Sequence, residues 1–153
     1  MAGTERIEEI LKTAPDKGCV HAFVMIDLDN FKSLNDVFGH MWGDKALFEV
    51  AGIMKNHCRS QDVVCRLGGD EFIVFLKNIP KDVVEKNVSS LTKKLRIPYE
   101  KDEQIIVISG SVGIALMPEN GATFKELYEA ADGALYKVKN EFKGEYYFSR
   151  KKL

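Results

Sequence analysis

Val63–Leu67 and Phe72–Leu76 are two runs of β-forming residues separated only by Gly68-Gly69-Asp70-Glu71. Apolar arms joined by a short glycine-containing connection predict a tight antiparallel hairpin. Ala22–Ile26 is a continuous apolar run that stops at Asp27. A short run apolar on both faces reads as a central strand, buried on both sides. Ile105–Leu116 predicts a further strand, the far arm of a second hairpin through Lys101-Asp102-Glu103.

Helical stripes lie between these runs. Ile7, Ile10, Leu11 and Ala14 mark a first helix, ended by Pro15 to Gly18. A short helical stretch between Asp29 and His40 carries Phe31, Leu34 and Phe38, and the next helix carries Leu47, Val50, Met54 and His57. Pro80 reads as opening a helix with Val84, Val88, Leu91 and Leu95. Thr123 with Glu126 forms a capping box before a last helix faced by Phe124, Leu127, Ala131, Leu135 and Val138. Glu145 to Arg150 reads as an edge strand. The order α, β, α, α, β, β, α, β, α, β predicts an α+β fold, a central mainly antiparallel sheet flanked by helices.

The 153 residues suit one domain. Lys plus Arg is 22 against 23 for Asp plus Glu, so no basic surplus exists to hold a nucleic-acid backbone. The longest apolar runs are about five residues, against roughly 20 for a membrane span. Met1 to Lys17 is charged and helical in pattern, unlike a signal peptide. Cys19, Cys58 and Cys65 match neither a disulfide framework nor a zinc pattern and suit a reducing cytoplasm. A cytoplasmic location is therefore expected.

Two acidic sites are the chemically informative feature. Asp27 ends one central strand, and Asp70 and Glu71 occupy the hairpin tip. If those strands are neighbours, carboxylates from two segments converge at one sheet edge. Converging carboxylates raise one another's pKa, and a hard divalent cation removes that cost. Mg²⁺ takes one or two carboxylates and completes its shell with water and phosphate oxygens. Taken singly, Asp27 is an ordinary strand terminator and Asp70 an ordinary turn residue. Gly68 and Gly69 permit close backbone approach to a phosphate, although a Gly-Gly turn alone is often only a turn.

Gly68-Gly69-Asp70-Glu71-Phe72 is the signature string of the GGDEF domains, the diguanylate cyclases. The likeness extends further. Asp27-Leu28-Asp29-Asn30-Phe31-Lys32-Ser33-Leu34-Asn35-Asp36, Phe38-Gly39-His40 and Gly43-Asp44 resemble that family's D-x-D-x-F-K-x-x-N-D-x-x-G-H-x-x-G-D segment. Ser111-Val112-Gly113-Ile114-Ala115 is similar to its S-x-G-x-A strand. Ala131-Asp132, Ala134-Leu135-Tyr136 and Lys139 resemble its final helix. The resemblance implies a fold like the polymerase palm and the class III nucleotide cyclases. It also implies joining of two GTP into cyclic di-GMP with release of two pyrophosphates, at a site completed by a homodimer.

By position, the resemblance makes Asp27, Asp70 and Glu71 catalytic. It makes Asp27, Asp70 and the Leu28 carbonyl ligands of Mg²⁺ (or Mn²⁺), and Glu71 a further contact to metal or to the attacking hydroxyl. Phe31, Lys32, Gly68 and Gly69 would lie at the phosphates, with Lys139 and Lys143 on the triphosphate. Asn35 and Asp44 would read guanine, whose N1–H and N2 amine suit a carboxylate acceptor and whose pattern adenine lacks. Arg59-Ser60-Gln61-Asp62 resembles the R-x-x-D inhibitory site, with Arg59 and Asp62 binding product; by itself that pattern is also a solvated ion pair.

Two departures stand out. Phe142-Lys143-Gly144 replaces the usual Gly-Arg-Asn, so Lys143 keeps the charge without the planar fork of Arg. The family's Leu-Thr-Gly-Leu-x-Asn-Arg opening is absent, beyond a remnant at Thr4-Glu5-Arg6. The chain is accordingly read as one domain, residues 1–153, truncated at its N-terminus and cut from a longer signalling protein. A non-catalytic receptor for GTP or cyclic di-GMP is the alternative function. A palm-like polymerase fragment is weaker, for want of a basic template groove. His21 and His57 read as packing or surface residues, Trp42 as cover for the base pocket or the core, and the tail from Lys143 to Lys152 as solvated. His40 fits the family pattern without a chemistry of its own.

Overall fold

The computed structural model describes residues 3–150; the last residues of the lysine-rich tail lie outside them. The elements are α1 (Gly3–Leu11), β1 (Cys19–Asp29), α2 (Phe31–Phe38), α3 (His40–His57), β2 (Val63–Gly68), β3 (Glu71–Pro80), α4 (Val84–Lys94), β4 (Ile97–Lys101), β5 (Gln104–Met117), α5 (Phe124–Glu141) and β6 (Tyr146–Phe148). The sheet order is β2-β3-β1-β5-β4, with every neighbouring pair antiparallel, and β6 pairs parallel to β5. The expected α+β architecture is the one observed.

The two-residue side-chain period of a strand sorts the core into two layers. Even-numbered residues of the central strands (Val24 and Ile26, Val74 and Leu76, Val112 and Ile114) face α2, α3 and α4. Odd-numbered ones (Phe23 and Met25, Ile73 and Phe75, Ala115 and Met117) meet Ile7 and Leu11 of α1 and Leu127, Ala131 and Leu135 of α5. Burial on both faces explains why β1 and β3 read as unbroken apolar runs rather than alternating ones. Each fully buried large side chain contributes roughly 1.5–3 kcal/mol. At Gly113 the α5 backbone lies so close that a Cβ would overlap the Ala131 carbonyl and the Leu135 amide. That close seating fixes α5 across the sheet.

Several boundaries differ from the sequence reading. α1 stops at Leu11, short of Ala14, because Lys12 and Thr13 turn back onto Glu9 and Ile10 with i to i−3 bonds. Pro80 closes β3 instead of opening a helix; a 3₁₀ turn, Lys81–Val83, leads into α4. Near Lys101-Asp102-Glu103 both arms are strands, and Asp102 and Glu103 take positive φ values of 50° and 66°. The first hairpin turns more tightly than four residues. Gly68 already pairs with Glu71, leaving Gly69 at φ 53° and Asp70 in the turn.

Candidate active site

β1 and β3 are adjacent, and Asp27 pairs in register with Glu71. The Leu28 N–H donates to the Asp70 carbonyl at 3.1 Å. The acidic residues of two separate segments therefore share one sheet edge. The half-buried Asp27 carboxyl is pushed from 3.8 up to about 6. Burial is the main cause; the Lys139 ammonium opposes it, and the Asp70 and Glu71 charges reinforce it. The N–H and C=O of one strand residue leave on the same side, so the Leu28 carbonyl faces this edge too.

α5 supplies the nearest cation. Lys139 Nζ lies 2.8 Å from Asp29 Oδ1 and 3.5 Å from Asp27 Oδ2. Asp29 is buried, and its Oδ2 accepts hydrogen bonds from Ser109 Oγ at 2.9 Å and Ser111 Oγ at 2.7 Å. Ser111 Oγ also accepts the Gly144 N–H at 3.0 Å, tying the turn after α5 to the same group. Lys143 stands exposed in that turn. Sequence reasoning placed Asp29 and Ser111 in family segments without giving them a role, and did not single out Ser109. The available signal was parity: Asp27 and Asp29 must share the α5 face, and two serines interrupt an otherwise apolar β5.

Among the described residues no three His, Cys, Asp or Glu side chains form a metal cage. The donors at hand are Asp27, Asp70, Glu71 and the Leu28 carbonyl, all hard oxygens. That set suits Mg²⁺ or Mn²⁺, which needs only one or two carboxylates when phosphate and water complete the shell.

α2 begins beside this edge. Asn30 takes the left-handed conformation at φ 65° and anchors through Nδ2 to the Val107 carbonyl at 2.9 Å. No side chain caps α2, so its first N–H groups, at Phe31 and Lys32, are oriented as an anion would need them. Phe31 packs on the core and Lys32 is exposed. Asn35 lies against Gly43, where a Cβ would overlap its amide, and Asp44 follows Gly43 on the exposed side of α3. The α2–α3 corner thus packs Asn35 against Gly43, with the exposed Asp44 next in the chain.

Arg59 and Asp62 lie apart from this edge and are paired with each other. Asp62 Oδ1 accepts from Arg59 Nη2 at 2.8 Å and the Lys77 N–H at 3.0 Å. Its Oδ2 accepts from the Arg59 N–H at 2.8 Å and Nε at 3.1 Å. The Asp62 side chain is 1% exposed against 39% for Arg59, so this is no solvated ion pair. Asp62 is occupied within the fold, and only Arg59 presents a face outward. A cleft of about 730 Å³, lined in part by Arg59, Arg66, Leu47, Phe48 and Phe72, opens beside it.

His21 is buried; its ring contacts the Thr13 carbonyl and accepts the Asn78 N–H, and burial pushes its pKa down. His57 bridges Asn87 and Lys94. Trp42 packs edge-on to Phe38 and Tyr99, against the core.

The family model described as "Diguanylate cyclase, GGDEF domain" matches residues 2–145. The chain belongs to the GGDEF family. This GGDEF domain is 36% identical over 144 residues to MucR of Pseudomonas aeruginosa, a bifunctional diguanylate cyclase/cyclic di-GMP phosphodiesterase, covering 94% of the chain and 21% of MucR. It is 37% identical over 123 residues to the cyclic di-GMP phosphodiesterase PdeR of Escherichia coli, covering 80% of the chain and 19% of PdeR. The solved GGDEF domain of TpbB from Pseudomonas aeruginosa superposes with a TM-score of 0.85 at 31% identity, covering 96% of this chain and 87% of that one. The chain thus spans about a fifth of the length of MucR and PdeR. GGDEF membership ties it to cyclic di-GMP signalling, and no helix among the described residues is long and apolar enough to cross a membrane.

Proposed function

We propose that this GGDEF domain is a diguanylate cyclase that condenses two GTP into cyclic di-GMP. The convergence of Asp27, Asp70 and Glu71 at one sheet edge carries the reading. Asp27, Asp70 and the Leu28 carbonyl would hold Mg²⁺ or Mn²⁺. When bound, such a cation lowers the pKa of the attacking hydroxyl and neutralises charge building on the phosphate.

The chain's own groups do the rest. Asn35 and Asp44 hold the guanine edge. The start of α2, with Phe31 and Lys32, and the turn glycines Gly68 and Gly69 receive phosphate oxygens, and Lys139 and Lys143 meet the β- and γ-phosphates. The 3′-oxygen of one GTP then forms a bond to the α-phosphorus of the other. The bond from that phosphorus to pyrophosphate breaks, and the hydroxyl proton passes to solvent. The reciprocal step closes the ring and releases the second pyrophosphate. One domain holds one nucleotide, so a homodimer supplies the second in line. Arg59, the outward member of its pair with Asp62, would receive the product as feedback inhibitor. The reaction is assigned to the cytoplasm, where GTP is available.

Phe142-Lys143-Gly144 in place of Gly-Arg-Asn favours a second reading, a receptor that binds nucleotide without turnover. The deciding experiment fuses a dimerising coiled coil to the N-terminus and measures pyrophosphate and cyclic di-GMP from GTP and Mg²⁺. Product formation is expected. GTP binding without product would replace the cyclase with the receptor.

A further inference from the structure

We infer that Asp29 is a positioning residue for the triphosphate, acting through Lys139. The inference rests on the reading of this edge as the nucleotide site. Two hydroxyls, from Ser109 and Ser111, bind Asp29 Oδ2 and fix the plane of the carboxylate. Its other oxygen is thereby aimed at Lys139 Nζ, 2.8 Å away. A lysine on a free four-carbon stem would sample many rotamers. Here the ammonium is clamped closer to Asp29 than to Asp27, at 2.8 against 3.5 Å. Lys139 has three N–H donors. One is taken by Asp29 and one leans to Asp27, so the third is left for a ligand at the open edge. The Gly144 N–H on Ser111 ties the turn that carries Lys143 to the same clamp.

Without Asp29, Lys139 would close onto Asp27 and withdraw from the phosphates. Simple electrostatics makes the opposite forecast, because deleting a negative charge near a triphosphate should tighten its binding. The sign of the effect therefore separates the two roles.

The test measures binding of 3′-deoxy-GTP, which lacks the attacking hydroxyl, and of guanosine, both in EDTA. For Asp29→Asn, 3′-deoxy-GTP affinity should fall roughly tenfold, the worth of one charge-assisted hydrogen bond, with guanosine affinity unchanged. The neutral double variant Asp29→Asn/Lys139→Met should bind 3′-deoxy-GTP within about threefold of Asp29→Asn alone, as coupled residues do. Unchanged or tighter binding of 3′-deoxy-GTP by Asp29→Asn, an equal loss for guanosine, or a further tenfold loss in the double variant would overturn the inference. If Asp29→Asn melts below the assay temperature, Ser109→Ala carries the test, with a two- to threefold loss expected for the triphosphate alone and no loss overturning the proposal. A wild-type protein that binds 3′-deoxy-GTP no better than guanosine overturns the nucleotide-site reading itself, and the role of Asp29 with it.

Discussion

The Leu28 amide donates to the Asp70 carbonyl at 3.1 Å, sewing the tip of the β2–β3 hairpin to the end of β1. The bond joins backbone to backbone, so the turn keeps its place whatever side chain stands at position 70. Structure and chemistry at Asp70 are thereby separable. Asp70→Asn should leave the melting temperature nearly unchanged while pyrophosphate release by the dimerised protein falls on the order of a hundredfold or more, the scale of losing a metal-borne charge. Thermal melts beside a pyrophosphate assay check both halves.

Asp27 makes the metal-free fold sensitive to pH. Its folded pKa, about 6, lies above its ordinary 3.8. Between those values the folded chain binds more protons than the unfolded one, so stability falls as pH rises through the window. Above about pH 6 the charged group destabilises the fold by roughly 2 kcal/mol, allowing for its partial exposure. In EDTA at pH 7.5, Asp27→Asn should melt about 4–8 °C higher than wild type, and the gain should vanish near pH 4. Melts across that range decide it.

Asp44 projects from α3 beside the Asn35–Gly43 contact. A carboxylate accepts from both donors of the guanine edge, and a serine cannot match that. Asp44→Ser should lower the preference for GTP over ATP by roughly ten- to a hundredfold. Competition binding with the two nucleotides measures it.

Gly113 has no room for a side chain, because the α5 backbone rests on it. Gly113→Ala must lift α5 from the sheet and should cost about 3 kcal/mol or more. Urea unfolding reports the loss, and Gly133→Ala, where nothing lies near the added carbon, is the control.

Asp62 is buried with all of its acceptor positions filled. Asp62→Ala leaves the Arg59 and Lys77 backbone N–H groups without their acceptor, while the guanidinium keeps the Lys77 carbonyl, and should cost roughly 2–4 kcal/mol whether or not cyclic di-GMP is present. Arg59→Ala leaves the buried Asp62 carboxylate without its guanidinium, so it should cost at least as much in stability and should weaken cyclic di-GMP binding in addition. Calorimetry with and without the dinucleotide distinguishes the two variants.

Particular residues mark where local patterns suffice. The run Ala22–Ile26, the hairpin around Gly69 and the capping box at Thr123 are each written in neighbouring residues, and each forms. The acidic signature was legible as well, since Asp27 and Glu71 end neighbouring strands and pair in register. The start of α4 was misread because Pro80 favours both a helix start and an extended strand end, and its pairing opposite Cys19 selects the strand.

Asp29 and Asp62 belong to the other kind. Nothing adjacent in the chain announces that Asp29 receives Lys139 and two serines of β5, or that Asp62 receives the Lys77 amide. From the sequence alone come the α+β class, the kind of each element and the acids at the strand end and the hairpin tip. Tertiary structure alone decided which carboxylates stay open to a ligand and which are held inside. The physical reason is that burial and hydrogen-bond satisfaction depend on groups far apart in the chain, which meet only after the strands have found their register.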